Sequence, residues 1–135
     1  MTAEVYKETI LDHYRHPRNY GDLPDANVRA RESNVLCGDT IEIELRLGRD
    51  RVEDLRFRGQ GCAISFASTS MLTEFAKGKP ITEIKKLGKR DIIDLLGTDP
   101  GPTRIDCALL GLKVLKTAIY AHSGSKMPEE PEETR

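Results

Sequence analysis

Three cysteines, Cys37, Cys62 and Cys107, have thiols able to bind a soft metal or to attack sulfur, and Asp39 stands two residues after the first of them. The thiolate is the nucleophilic and metal-binding form of cysteine, and nearby positive potential favours it. Cys62 falls between a strand pattern and a helix pattern, and Cys107 in the first turn of a second helix pattern. Unpaired backbone N–H groups and the positive end of the helix dipole stabilise negative charge at such places. Cys37 lies in a loop ahead of the first long strand, and Gly38 and Gly61 let the chain turn tightly beside a sulfur. Asp39 can add a carboxylate, so that three thiolates and one carboxylate make a tetrahedral set. Two plainer readings stand beside this one. Free cysteines are among the most buried residue types and serve as small core fillers, and aspartates commonly cap turns. The spacing is not Cys-x-x-Cys.

These side chains need elements to hold them. Residues 3–15 place Tyr6, Ile10 and Tyr14 at helical spacing, with Val5 and Leu11 beside them, and Pro17 ends the run. The stretch HPRNYGDLPD reads as an ordered loop, rich in residues that favour turns. Over 40–47, Ile41, Ile43, Leu45 and Leu47 alternate with polar residues, which predicts a strand with one apolar face. Residues 51–58 resume with Val52, Leu55 and Phe57, whose phase slips once, so an antiparallel hairpin with a bulge is expected. A weaker pattern over 26–31 supplies a third strand. After Gly59 and Gly61 the period becomes helical, with Ile64, Ala67, Met71, Leu72 and Phe75 in one stripe that stops at Gly78 and Pro80. Two short helices over 82–87 and 90–96 follow, then a longer one capped by Thr103 that turns Leu110, Val114, Leu115, Ala118 and Ile119 inward. Strands followed by helices give an α+β fold: a small antiparallel three-stranded sheet with helices packed on one face.

A chain of 135 residues with 38% hydrophobic residues makes one domain, expected over 1–122, with an acidic tail over 123–135 that lacks periodicity and is expected to be disordered. No apolar run approaches membrane length and the start is amphipathic, so a cytoplasmic location and no membrane partner are expected. Three cysteines, an odd number and far apart, point to free thiols or metal ligands rather than a disulfide framework. A net charge of -1, 5% aromatic residues and no Trp argue against nucleic acid. Gly59 and Gly61 lack the Lys-Ser/Thr pair of a phosphate loop. His13, His16 and His122 read as helix-end residues, not ligands.

The strings around the cysteines are more specific than their spacing: DHYRHPRNYG at 12–21, NVLCGDT at 34–40, FRGQGCAISFASTS at 57–70 and RIDCALLGLKVL at 104–115. In this order they resemble the IscU/SufU group of NifU-like iron-sulfur assembly proteins. The resemblance implies that Cys37, Cys62 and Cys107 are that family's three essential cysteines and Asp39 the aspartate of its CGD motif. It implies a site holding zinc or a transient [2Fe-2S] cluster, sulfur accepted from a pyridoxal-phosphate cysteine desulfurase, and delivery to apo-proteins or downstream scaffolds. Asp106 stands where IscU-type scaffolds have a His, and GPTRI where they have LPPVK. GCAIS looks more like the SufU branch, yet the connection over 78–104 is short for that branch. Arg104 occupies a basic position found in both; its plain reading is a solvated helix-start residue.

Three functions are therefore weighed. The first is assembly of a [2Fe-2S] cluster on Cys37, Asp39, Cys62 and Cys107 with desulfurase sulfur. The second is a zinc-dependent persulfide sulfurtransferase, with Cys37 on its loop as acceptor and Cys107 as the alternative. The third is a structural zinc module, which chelation would unfold; a helix-on-sheet core of this size should survive zinc loss, which places it third. Whether the chain is an enzyme turns on the choice between the first two.

Overall fold

The computed structural model describes residues 3–36 and 38–124, with side chains from residue 8 onward. Cys37 and residues 125–135 lie outside the described residues, as does most of the expected acidic tail.

Strands β1 (Val28–Asn34), β2 (Asp39–Leu47) and β3 (Val52–Gln60) form one antiparallel sheet in the order β1-β2-β3. Ile41, Ile43, Leu45 and Leu47 are buried, as the alternation of β2 requires. The phase slip is a bulge: Leu47 pairs with Val52 and Arg46 with Asp54, so Glu53 is the extra residue. That extra residue lets Val52, Leu55 and Phe57 all face the core. The third strand covers Val28–Asn34 rather than 26–31. Its sequence alternates weakly, and pairing with the full length of β2 sets its bounds.

Helices α1 (Ala3–Arg15), α2 (Ala63–Ala76), α3 (Ile81–Lys85), α4 (Lys89–Leu96) and α5 (Ile105–Ser123) complete the chain. Ile64, Ala67, Met71 and Leu72 of α2 join Leu110, Val114, Leu115, Ala118 and Ile119 of α5 and the apolar face of the sheet in one cluster. α2 is buried nearly all round, including Ser65, Ser68, Thr69, Ser70 and Thr73. The hydroxyls of Ser65, Ser68, Thr69 and Thr73 donate to nearby carbonyls, and Ser68 Oγ also reaches across to the Ala108 carbonyl at 2.9 Å. At the same contact a Cβ on Gly111 would lie 2.3 Å from Thr69 Oγ1, so α5 can approach α2 this closely only without one. Thr103 does not cap α5. The N-cap is Arg104, with no side-chain cap bond, because the chain first closes a turn in which Arg104 N and Ile105 N donate to the Gly101 carbonyl.

The other face of the sheet carries charged side chains and a strap of chain. Phe57 N donates to the Asn19 carbonyl, Gly21 N to the Phe57 carbonyl, Leu23 N to Glu44 Oε1 at 2.7 Å, and Asn27 N to the Leu45 carbonyl. The loop thus runs from the free edge of β3 over the central strand to β1, and it buries Leu23 and Glu44.

α1 is seated on α2 partly through a buried histidine. His13 Nδ1 is 2.8 Å from Ser70 Oγ, which also accepts the Arg18 N–H at 2.9 Å, and His13 Nε2 is 3.8 Å from Glu74. Because Ser70 Oγ already accepts one N–H, its own hydrogen is available to Nδ1, which suits a neutral ring. Burial, followed by the Arg18 charge, lowers the His13 pKa below 6.5, outweighing Glu74 and Asp12. The unfolded chain therefore takes up a proton at a higher pH than the folded one. The stability involved is complete above about pH 6.5 and is lost as pH falls through the folded pKa. The Tm of reduced, metal-free protein is expected to drop between about pH 7.5 and about pH 5.5. His13→Gln should flatten that part of the profile. Asp12, Glu44 and Asp54, whose pKa values lie below 3.8, 4.5 and 3.8, contribute only in more acid solution.

Candidate metal and sulfur site

Sheet register places the site. Thr40 pairs with Gln60, so Asp39, the first residue of β2, lies beside Gly61 and Cys62 just past the end of β3. Cys62 is the N-cap of α2 in an extended conformation, and its side chain makes no cap bond. Its backbone N–H instead donates to Asp39 Oδ1 at 2.8 Å. Its Sγ lies 3.8 Å from Asp39 Oδ2, as a thiol donating to the carboxylate. Asp39 is 0% exposed, Cys62 half-buried and Cys107, in the first turn of α5, 2% exposed.

Ligand atoms of Asp39, Cys62 and Cys107 all lie within 4.8 Å of one another. Three of the four residues singled out by type are thus brought together by three separate elements. The fourth, Cys37, is outside the described residues, but its neighbours Val35 and Leu36 are 87% and 88% exposed. Cys62 and Cys107 thus stand at the starts of α2 and α5, where the positive ends of the helix dipoles suit a negatively charged ligand set. Two soft sulfurs and one hard oxygen within this radius suit zinc or iron, and one further sulfur would complete a tetrahedron.

The expectation of free thiols holds for Cys62 and is corrected for Cys107, whose sulfur is disulfide-bonded. Ligation through Cys107 therefore requires reduction first. Asp106 is exposed and stands outside the three-residue group, and Arg104 is likewise exposed. The helix-end reading of His13 misses its burial against α2.

The family model described as the NifU-like N-terminal domain matches residues 5–128. The chain belongs to this family. Among curated NifU-like relatives, the iron-sulfur cluster assembly scaffold protein IscU of Aquifex aeolicus is 43% identical, over 84% of this chain and 73% of the relative. The zinc-dependent sulfurtransferase SufU of Bacillus subtilis is 37% identical, over 89% and 92%. The crystal structure of a candidate SUF-system iron-sulfur cluster assembly scaffold from Fervidobacterium islandicum superposes with a TM-score of 0.75 at 27% identity, over 88% of this chain and 99% of that one. The three-stranded sheet with helices on one face is thus the NifU-like fold. Among the described residues no helix is long and apolar enough to cross a membrane.

Proposed function

We propose that this chain is an iron-sulfur cluster assembly protein that takes sulfur from a pyridoxal-phosphate cysteine desulfurase in the cytoplasm. It builds a transient [2Fe-2S] cluster on Cys37, Asp39, Cys62 and Cys107 and passes it to apo-proteins. The observation that carries this reading is the convergence of Asp39, Cys62 and Cys107 within 4.8 Å, in a chain related to an iron-sulfur cluster assembly scaffold.

In the sulfur step a thiolate attacks the outer sulfur of the desulfurase persulfide. A new S–S bond forms on this chain, the old one breaks, and the desulfurase leaves as thiolate. Cys37 is the preferred acceptor, since the apolar neighbours Val35 and Leu36 project into solvent where a partner can reach them; Cys107 is the alternative. Thiolates then hold iron, while the single carboxylate is a harder and more easily exchanged ligand, which suits a site that must release its cargo.

A second reading, the zinc-dependent persulfide relay, is supported by the 37% identity to the SufU relative. Cys37, Cys62 and Cys107 would then hold their thiolates, with the Asp39 carboxylate, in a metal-bound resting state until Cys37 is freed to accept sulfur.

Reduced protein should be handled anaerobically and incubated with desulfurase, cysteine and excess thiol reductant, which supplies the electrons that convert persulfide sulfur to sulfide, with and without ferrous iron. Labile sulfide with thiolate-to-iron absorption is the outcome expected of assembly. About one zinc per chain with stimulated desulfurase turnover and no cluster would establish the relay instead. Cys37→Ala is expected to lose sulfur uptake under either reading; unchanged uptake would reassign the acceptor to Cys107.

A further inference from the structure

Away from the site, Lys85 and Arg49 lie at the end of α5, next to a cation-rich stretch of sequence. Residues 77–90 contain Lys77, Lys79, Lys85, Lys86, Lys89 and Arg90 against a single acid, Glu83. Lys77 is paired with Asp54, and Lys79 stacks on Phe75. Lys85 lies over the Tyr120 ring, 4.7 Å from its centroid, in the last turn of α5. With Arg49, Asp50, Ile81, Ile119 and His122 it lines an open cavity of about 510 Å³, and Asp50 there is paired with Arg51. Among the described residues, Arg49, Lys86, Lys89 and Arg90 take part in no ion pair. Lys89 and Arg90 occupy the first turn of α4, where the helix dipole disfavours cations. Asp91 in that turn is engaged by the Gly88 N–H at 2.8 Å, and it acts electrostatically on Lys116 of α5, so this end of α4 lies close to α5. A cationic surface kept against local preference fits an anionic occupant.

The sequence contains one. Beyond Gly124 come Glu129, Glu130, Glu132 and Glu133, spaced by Pro128 and Pro131. Lys85 reaches the last turn of α5, and the five residues from Gly124 to Glu129 span up to about 17 Å, so length is no obstacle.

We propose that acidic residues 129–133 seat on the basic surface of Arg49, Lys85, Lys86, Lys89 and Arg90 at the end of α5. The tail then screens a cationic face. The proposal stands whether or not the cysteine site carries a cluster.

The test compares backbone amide NMR spectra of the full reduced chain with those of E129Q/E130Q/E132Q/E133Q at low salt. Shifts are expected at Arg49 and residues 85–90 but not at Thr40 or Cys62, unchanged on dilution and lost near 1 M salt, where screening acts within about 3 Å. K86Q/R90Q should in turn move the amides of residues 129–133. Coincident spectra would overturn the proposal. So would shifts that grow with protein concentration, which would mark the tail of a neighbouring molecule.

Discussion

Gly61→Val is expected to leave a folded protein that no longer retains metal. A Cβ at Gly61 would lie 2.3 Å from Asp39 Oδ1, 2.7 Å from its Cγ and 2.9 Å from Ser65 Oγ. None of these can yield easily. Asp39 and Ser65 are fully buried, and the Ser65 hydroxyl donates to the Cys62 carbonyl. The end of β3 must therefore move away from β2, which breaks the bond from Cys62 N–H to Asp39 and separates two of the three gathered ligands. Overpacking together with a stranded buried N–H costs about 2–5 kcal/mol, less than the stability of many small domains. Urea denaturation should show this loss with an unchanged slope, and zinc stoichiometry should fall toward zero. Gly88→Ala, where an added Cβ meets nothing within 4 Å, is the control and should keep both properties. Full zinc binding by Gly61→Val would contradict the role given to this close approach.

The sheet was legible because its signal is local: Ile41, Ile43, Leu45 and Leu47 announce a strand, and the slip between Val52 and Leu55 announces a bulge. The chemical types at the site were legible for the same reason. Their proximity was not. Asp39 and Cys62 meet through the Thr40–Gln60 register, and Cys107 arrives from an element 45 residues further along the chain than Cys62. No window of sequence contains that geometry. The burial of Ser65, Ser68, Thr69, Ser70 and Thr73 was also hidden, since serine and threonine on a helix suggest a wet face. One signal for it was available: residues 63–73 contain no charged side chain, as expected of a helix covered on every side. Glu44 looked like an ordinary outward strand residue. Only the strap, with the Leu23 N–H at 2.7 Å and Arg29 at 3.0 Å, explains why a carboxylate can be buried there.

Asp39 does two jobs that substitution can separate. One oxygen accepts the Cys62 N–H at 2.8 Å, and the other lies 3.8 Å from the Cys62 sulfur. Asp39→Asn keeps an oxygen for the N–H and removes the charge. It is expected to fold with near-normal Tm while zinc affinity falls about 10- to 100-fold, the range seen when a group supporting a metal site is altered. Asp39→Ala removes both functions, leaves the Cys62 N–H without its acceptor and should lower stability by about 1–3 kcal/mol as well. Asp39→Cys distinguishes ligation from support. It also loses the backbone acceptor, so its metal-free form should melt below wild type, yet it offers a soft fourth ligand. Under the assembly reading, a cluster on Asp39→Cys should form and then transfer to an apo-acceptor more slowly than from wild type, because a thiolate holds iron more firmly than a carboxylate. Transfer kinetics followed by loss of cluster absorption decide the matter. If Asp39→Cys released its cluster at the wild-type rate, Asp39 would be a brace for Cys62 alone and the exchangeable ligand would have to be sought elsewhere.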